Sequence, residues 1–320
     1  GGHDLYLTID EDLNAAAYNA MNGRKGTVGV YNYKTGEILC MVSLPTFDPQ
    51  DPPEISDGDS RYEGVYLNRF LSSTYTPGSV FKLVTTAAAI ENLDDLFSRT
   101  FTCDGSVEIG GQVITCPSAH GTMDIYDALA NSCNGVYAQL AVELGGDTMQ
   151  EYAQKAGLLS RFSVSGISTA AGSFTAAADG SADLGWSGVG QYSDLVNPCA
   201  LMTYAGTIAN GGTQVLPRLI DRETTASGLP AGIYRTSKQS SAIAPETCSL
   251  LKEMMRNNVV SHYGQSQFGE LAVCAKSGTA EVGEGQRPHS WFTGFIDDAD
   301  HPLAFVVIVE NGGSGASVAG

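Results

Sequence analysis

Apolar positions are spaced for strands at both ends of the chain and for helices through its middle. Leu5-Tyr6-Leu7-Thr8-Ile9 reads as a strand, and Asp10 is placed to cap a helix carrying Leu13, Ala16, Ala17, Tyr18 and Met21. Residues 27–33 and 37–43 are β-rich, and Lys34-Thr35-Gly36 between them predicts a hairpin. A stretch rich in Pro, Asp and Gly over 45–61 predicts a loop. Helices are expected over 80–90, within 124–144, over 198–209 and over 244–260, with Asn210-Gly211-Gly212 as a stop signal. Residues 160–187, low in charge and rich in Ser, Ala and Gly, predict an extended loop.

The last third returns to strands, over 271–275, 290–296 and 303–310, with Asp297-Asp298-Ala299-Asp300 as a hairpin connection. Strands at both termini with helices between them imply one sheet built from the two ends and a helical insert. The fold class is therefore α/β in the α+β sense. One domain is expected over 1–320, with a sheet subdomain over roughly 1–80 and 200–320 and a helical one over roughly 81–199.

Length and composition narrow the function. With 320 residues, 42% hydrophobic and 16% charged, the chain has the makeup of a globular domain with a sizeable core. Its 35 acidic against 17 basic residues give a formal charge of −18, and no basic stripe breaks that field. A nucleic-acid partner is excluded on that ground. No stretch has the length and apolarity of a membrane span, and no signal peptide opens the chain. Among the seven cysteines there is no C-x-x-C pair, which argues against a zinc knuckle or a thioredoxin-like site; no metal and no cofactor are expected. Cys103 and Cys116 could meet across a hairpin as a disulfide, or stay reduced and half-buried; both readings stand open. Cys40 and Cys274 lie in apolar runs and read as core residues.

Three short motifs carry chemistry. Ser79-Val80-Phe81-Lys82 follows Pro77-Gly78 at a helix start, and a spacing of three puts Lys82 one turn above Ser79 on the same face. A desolvated lysine can be neutral enough to take the proton of a serine nucleophile. Ser132-Cys133-Asn134 adds a hydroxyl for proton relay and an amide for substrate anchoring. Lys276-Ser277-Gly278-Thr279, on a strand, offers a lysine and two hydroxyls for a carboxylate, backbone N–H groups for an oxyanion, and a glycine past which a substrate backbone can lie. Each motif is weak alone; their order and structural context make them strong together. Two matches are set aside. Lys34-Thr35-Gly36 sits in a tight turn before the nucleophile, and Glu253-Met254-Met255-Arg256-Asn257 sits in a helical stretch rather than in an irregular loop.

The order S-x-x-K, S-x-N, K-S-G is shared by penicillin-binding proteins and class A β-lactamases. With Tyr75-Thr76-Pro77-Gly78-Ser79, Gly190-Gln191, Asn197-Pro198, Ala209-Asn210-Gly211-Gly212 and His289-Ser290-Trp291-Phe292, nearly the whole chain resembles a penicillin-binding transpeptidase domain, closest to the monofunctional, class B-like members. The resemblance implies a five-stranded antiparallel sheet flanked by helices, plus a mostly helical subdomain, with the active site between them. It implies Ser79 as nucleophile, Lys82 as acylation base, and Ser132 and Lys276 as the rest of the proton network. Asn134 would hold a substrate amide, Ser277 and Thr279 a carboxylate beside Gly278, and the N–H groups of Ser79 and Thr279 an oxyanion.

The implied reaction crosslinks peptidoglycan stem peptides through an acyl-enzyme, with β-lactams as inhibitors and cell-wall synthesis proteins as further partners. The implied location is the outer face of the cytoplasmic membrane. Ser277 departs from the commoner Thr, and the family's membrane anchor, pedestal and longer C-terminal helix are expected outside these residues. A β-lactamase or D,D-carboxypeptidase sharing the acylation step, and a sensor or scaffold, are the alternatives.

Overall fold

The computed structural model describes residues 2–320. Asp10 caps helix α1 (Glu11–Met21), its carboxylate accepting from Leu13 N at 3.0 Å. Strands β1 (Gly26–Asn32) and β2 (Ile38–Leu44) follow as a hairpin whose turn is held by Asn32 Oδ1, which accepts from Lys34 N and Thr35 N. A 3-10 turn, Gly78–Phe81, leads into α2 (Lys82–Asn92). Then come α3 (Ile125–Ala130), α4 (Asn134–Leu144), α5 (Ala182–Gly188), α6 (Pro198–Ala209) and α7 (Pro245–Asn258). Strands β3 (Val273–Ala280), β4 (His289–Ile296) and β5 (Leu303–Val309) complete the central sheet.

That sheet is five-stranded and antiparallel, in the order β3-β4-β5-β1-β2, so the two chain ends meet between β5 and β1. Helix α6 packs on one face against β5, β4 and β1. Helix α1 and the short helix Gly315–Val318 cover the other. Cys274 and Cys40 are buried on opposite faces, in the core as expected. Helix α2 is buried from Lys82 to Ala89 because α4, α7 and the helix Gly146–Lys155 surround it. No helix among the described residues is long and apolar enough to cross a membrane.

Two expectations need correction. The first strand, His3–Leu7, does not join the central sheet; it pairs with Ile220–Thr225 and is exposed along its length, its apolar residues facing outward. The stretch 160–187 is not wholly extended, since α5 begins inside it at Ala182. Ser181 Oγ accepts from Leu184 N, and α5 packs against α4 through its small residues. Small residues make no apolar stripe, so that contact leaves no periodicity to read.

One fully buried side chain ties the sheet to the segment ahead of Ser79. Trp291 on β4 donates its indole N–H to Thr76 O at 3.0 Å and meets the Tyr75 ring edge-on, centroids 6.0 Å apart. Trp291→Phe keeps much of the ring but leaves the Thr76 carbonyl without that donor. A loss of about 1–3 kcal/mol of stability is expected, read as a lower urea midpoint at unchanged slope. An unchanged midpoint would remove this contact from the account of the fold.

Candidate active site

Three segments converge on one cleft of about 380 Å³, lined among others by Ser79, Ser132, Asn134, Ser277 and Thr279. The first is the 3-10 turn carrying Ser79. Gly78 there has φ +56°, and a Cβ at that position would lie 2.5 Å from Thr279 O, so only glycine lets the turn press against β3. Gly278 serves the same contact from the other side: a Cβ on it would lie 2.9 Å from Val80 Cγ1. The room at Gly278 is thus taken by the turn that carries Ser79, where the sequence suggests room for a substrate backbone.

Lys82 opens α2 with its side chain wholly buried below Ser79. Its Nζ lies 3.1 Å from Ser79 Oγ, 2.7 Å from Ser132 O, 3.0 Å from Ser132 Oγ and 2.9 Å from Asn134 Oδ1. The Tyr137 ring lies beneath it, its centroid 5.6 Å from Nζ. Burial pulls the Lys82 ammonium down to about 7, a value at which it can give and take a proton in neutral solution.

The second segment joins α3 to α4. Ser132 adopts φ +54°, a left-handed conformation that a non-glycine residue holds only when its surroundings impose it. The kink aims both its carbonyl and its hydroxyl at Lys82. Asn134 follows at the first turn of α4, with Nδ2 donating to Thr115 O at 3.0 Å.

The third segment is β3. Alternation along the strand sends the Lys276 side chain inward, where Nζ donates to Ser132 Oγ at 3.1 Å and to Ser277 O at 2.7 Å. Burial, and then the nearby charge of Lys82, push Lys276 well below the usual lysine range. The Ser277 N–H and hydroxyl both donate to Tyr263 OH, while Thr279 is exposed and its Oγ1 accepts from Gly315 N at 3.2 Å.

All eight candidate residues, Ser79, Lys82, Ser132, Asn134, Lys276, Ser277, Gly278 and Thr279, therefore gather in or under this cleft. Lys34 stays in its β-hairpin turn, and Glu253 lies on α7, where it accepts from Tyr126 OH. Sequence reading missed Tyr263 and Thr115, whose roles depend on partners distant in the chain.

The lack of a C-x-x-C pair, which argues against a zinc knuckle, does not keep four possible ligand residues apart. The ligand atoms of Cys103, Cys116, His120 and Cys133 all lie within 4.8 Å of one another beside the cleft. The Cys103–Cys116 alternative resolves as well, since both thiols are free. The C-x-x-C test fails here because the four residues come from separate segments.

Known proteins resemble this chain in sequence and in fold. The chain is 30% identical over its whole length to the peptidoglycan D,D-transpeptidase PbpA of Mycolicibacterium smegmatis, covering 70% of that protein. It superposes on the penicillin G acyl-enzyme complex of penicillin-binding protein A from M. tuberculosis with a TM-score of 0.87 at 26% identity, over 99% of this chain and 78% of that one. The D,D-transpeptidase domain of a peptidoglycan glycosyltransferase from Eggerthella lenta gives 0.85 at 25% identity, over 100% and 81%. Residues 26–320 match the family described as the penicillin binding protein transpeptidase domain, and the chain belongs to that family.

Proposed function

We propose that this chain is a serine D,D-transpeptidase that crosslinks peptidoglycan stem peptides and is acylated at Ser79 by β-lactams. The observation that carries the reading is the unbroken contact chain Ser79 Oγ, Lys82 Nζ, Ser132 Oγ, Lys276 Nζ at the floor of the cleft. A neutral lysine there has two N–H groups to share among Ser132 O, Ser132 Oγ and Asn134 Oδ1, and turns its lone pair to the Ser79 hydroxyl.

In this mechanism Ser79 Oγ attacks the penultimate D-alanyl carbonyl while its proton passes to Lys82. The backbone N–H groups of Ser79 and Thr279 stabilise the tetrahedral oxyanion. Ser132, between the two lysines, relays a proton to the departing D-alanine nitrogen as the C–N bond breaks. The amine of a second stem peptide then attacks the ester, and Ser79 regains its proton. Asn134 has one N–H left beyond its bond to Thr115 O, enough to hold a substrate amide. On the cleft wall, Thr279 supplies a free hydroxyl proton for the carboxylate, and Ser277 supplies a second when its hydroxyl turns from Tyr263 OH. The substrate places the domain on the outer side of the cytoplasmic membrane, among the proteins of wall synthesis. The penicillin G acyl-enzyme of the M. tuberculosis relative supports the β-lactam half of the reading.

Incubation with penicillin G is expected to raise the intact-protein mass by one penicillin, with the adduct persisting for many minutes. Ser79→Ala should lower the acylation rate by at least about 1000-fold. Fast nitrocefin turnover, or equal labelling of Ser79→Ala, would overturn the reading. Because Lys82 must be neutral to act as base, the second-order acylation rate should climb about tenfold per pH unit in acid and level off above about 7. A stopped-flow profile that is flat across that range would remove Lys82 from the role of base.

A further inference from the structure

We infer that Cys103, Cys116, His120 and Cys133 bind one zinc ion in tetrahedral coordination, and that this ion holds the Ser132-Cys133-Asn134 segment in register with Lys82. The inference stands on geometry and does not rest on the transpeptidase reading.

The ligand set comes from four backbone segments. Cys103 ends the strand Phe101–Cys103, Cys116 follows the strand Gln112–Thr115, His120 precedes the strand Gly121–Met123, and Cys133 caps α4. Their ligand atoms lie within 4.8 Å of one another, and Cys116 Sγ stands 3.8 Å from Cys133 Sγ. A tetrahedron with Zn–S bonds of about 2.3 Å puts its sulfurs roughly 3.8 Å apart, whereas a disulfide needs about 2.05 Å. The Cys116 and Cys133 sulfurs thus already stand at a zinc-site separation, too far apart for a disulfide.

Two further observations point to a ligand. His120 Nδ1 is buried and has no hydrogen-bond partner among the described residues, a costly arrangement for an imidazole unless that nitrogen ligates. Gly135 N donates to Cys116 Sγ at 3.3 Å, an N–H···S contact that would stabilise a metal-bound thiolate from outside the coordination sphere. Three sulfurs and one imidazole in a closed tetrahedron are a soft donor set suited to structural zinc. Binding Zn²⁺ displaces the three thiol protons to solvent, leaving a site of net charge −1. Cys116 lines the catalytic cleft and is only half-buried, which gives the ion an entry path.

The coupling to the cleft is short. Cys133 is the middle residue of Ser132-Cys133-Asn134, and both its neighbours contact Lys82 Nζ. Cys116 directly follows Thr115, whose carbonyl accepts from Asn134. One ion would therefore fasten two sides of the cleft and help to impose the left-handed backbone of Ser132.

The test uses the whole chain, reconstituted with Zn²⁺ under a phosphine reductant and then dialysed. Elemental analysis is expected to find one zinc per chain. Cobalt substitution should give thiolate-to-cobalt charge-transfer absorption and the intense visible bands of a tetrahedral centre. Cys116→Ser and His120→Ala should lose the metal, while Cys248→Ala, at a buried cysteine outside the cluster, should keep it. Stripping zinc from the wild-type chain with a chelator should slow penicillin acylation by about 10–100-fold, and zinc should restore it, which keeps the test independent of variants that misfold. No zinc after reconstitution, full zinc in both cluster variants, or a Cys116–Cys133 disulfide in the peptide map would overturn the site. An unchanged acylation rate after stripping would overturn the positioning role.

Discussion

A lysine without solvent is the constraint on which the rest of the cleft depends. Lys82 has no exposed surface, and burying an ammonium is tolerable only if its donors find acceptors and its charge is easily lost. Four oxygens within 3.1 Å meet the first condition, supplied by Ser79, Ser132 twice, and Asn134. The contacts that make the buried lysine bearable are thus the contacts that assemble the site. A fold that kept Lys82 buried but let the α3–α4 connection move would lose three of those four partners. Stability here and catalytic geometry are the same requirement.

Meeting that requirement takes close backbone approach. The turn carrying Ser79 can reach β3 only because Gly78 presses without a side chain on Thr279 O and Gly278 without one on Val80. Trp291 fixes the segment before that turn from the next strand, and α2 is held by helices on several sides. The central sheet acts as a straightedge: β3 delivers Lys276 inward and keeps Ser277, Gly278 and Thr279 along the cleft wall.

What could be read from the sequence was what local geometry dictates. A spacing of three on a helical turn puts Lys82 against Ser79, and strand alternation separates Lys276 from Ser277. Both rules need only near neighbours, so the motifs were legible in the residues themselves, whereas the count of five strands came from the family resemblance. The rest depended on contacts between distant segments. Tyr263 meets Ser277 across a turn with no motif of its own. Nothing in Ser132-Cys133-Asn134 announces a left-handed serine, and the Cys103, Cys116, His120, Cys133 spacing matches no compact ligand pattern. The strand His3–Leu7 was seen as a strand but given the wrong sheet, because pairing partners are chosen by the whole fold.

The placement of a second lysine completes the logic. Lys276 and Lys82 both touch Ser132 Oγ, and two ammonium groups sharing one hydroxyl repel each other. Losing a proton relieves that repulsion, and burial, then the Lys82 charge, lower the proton affinity of Lys276. Once an acyl group on Ser79 frees the lone pair of Lys82, Ser132 can accept from a charged lysine and donate to a neutral one, so its hydroxyl can reverse direction as the proton moves. That reversibility is what a two-step acyl transfer demands. In the proposed mechanism, the base that removes a proton from Ser79 during acylation must lie within reach of a group that returns one to the leaving amine, and must then be restored for the second attack. A single lysine with a lowered affinity for protons could open the reaction. A pair bridged by one hydroxyl can run it through both halves without calling on water.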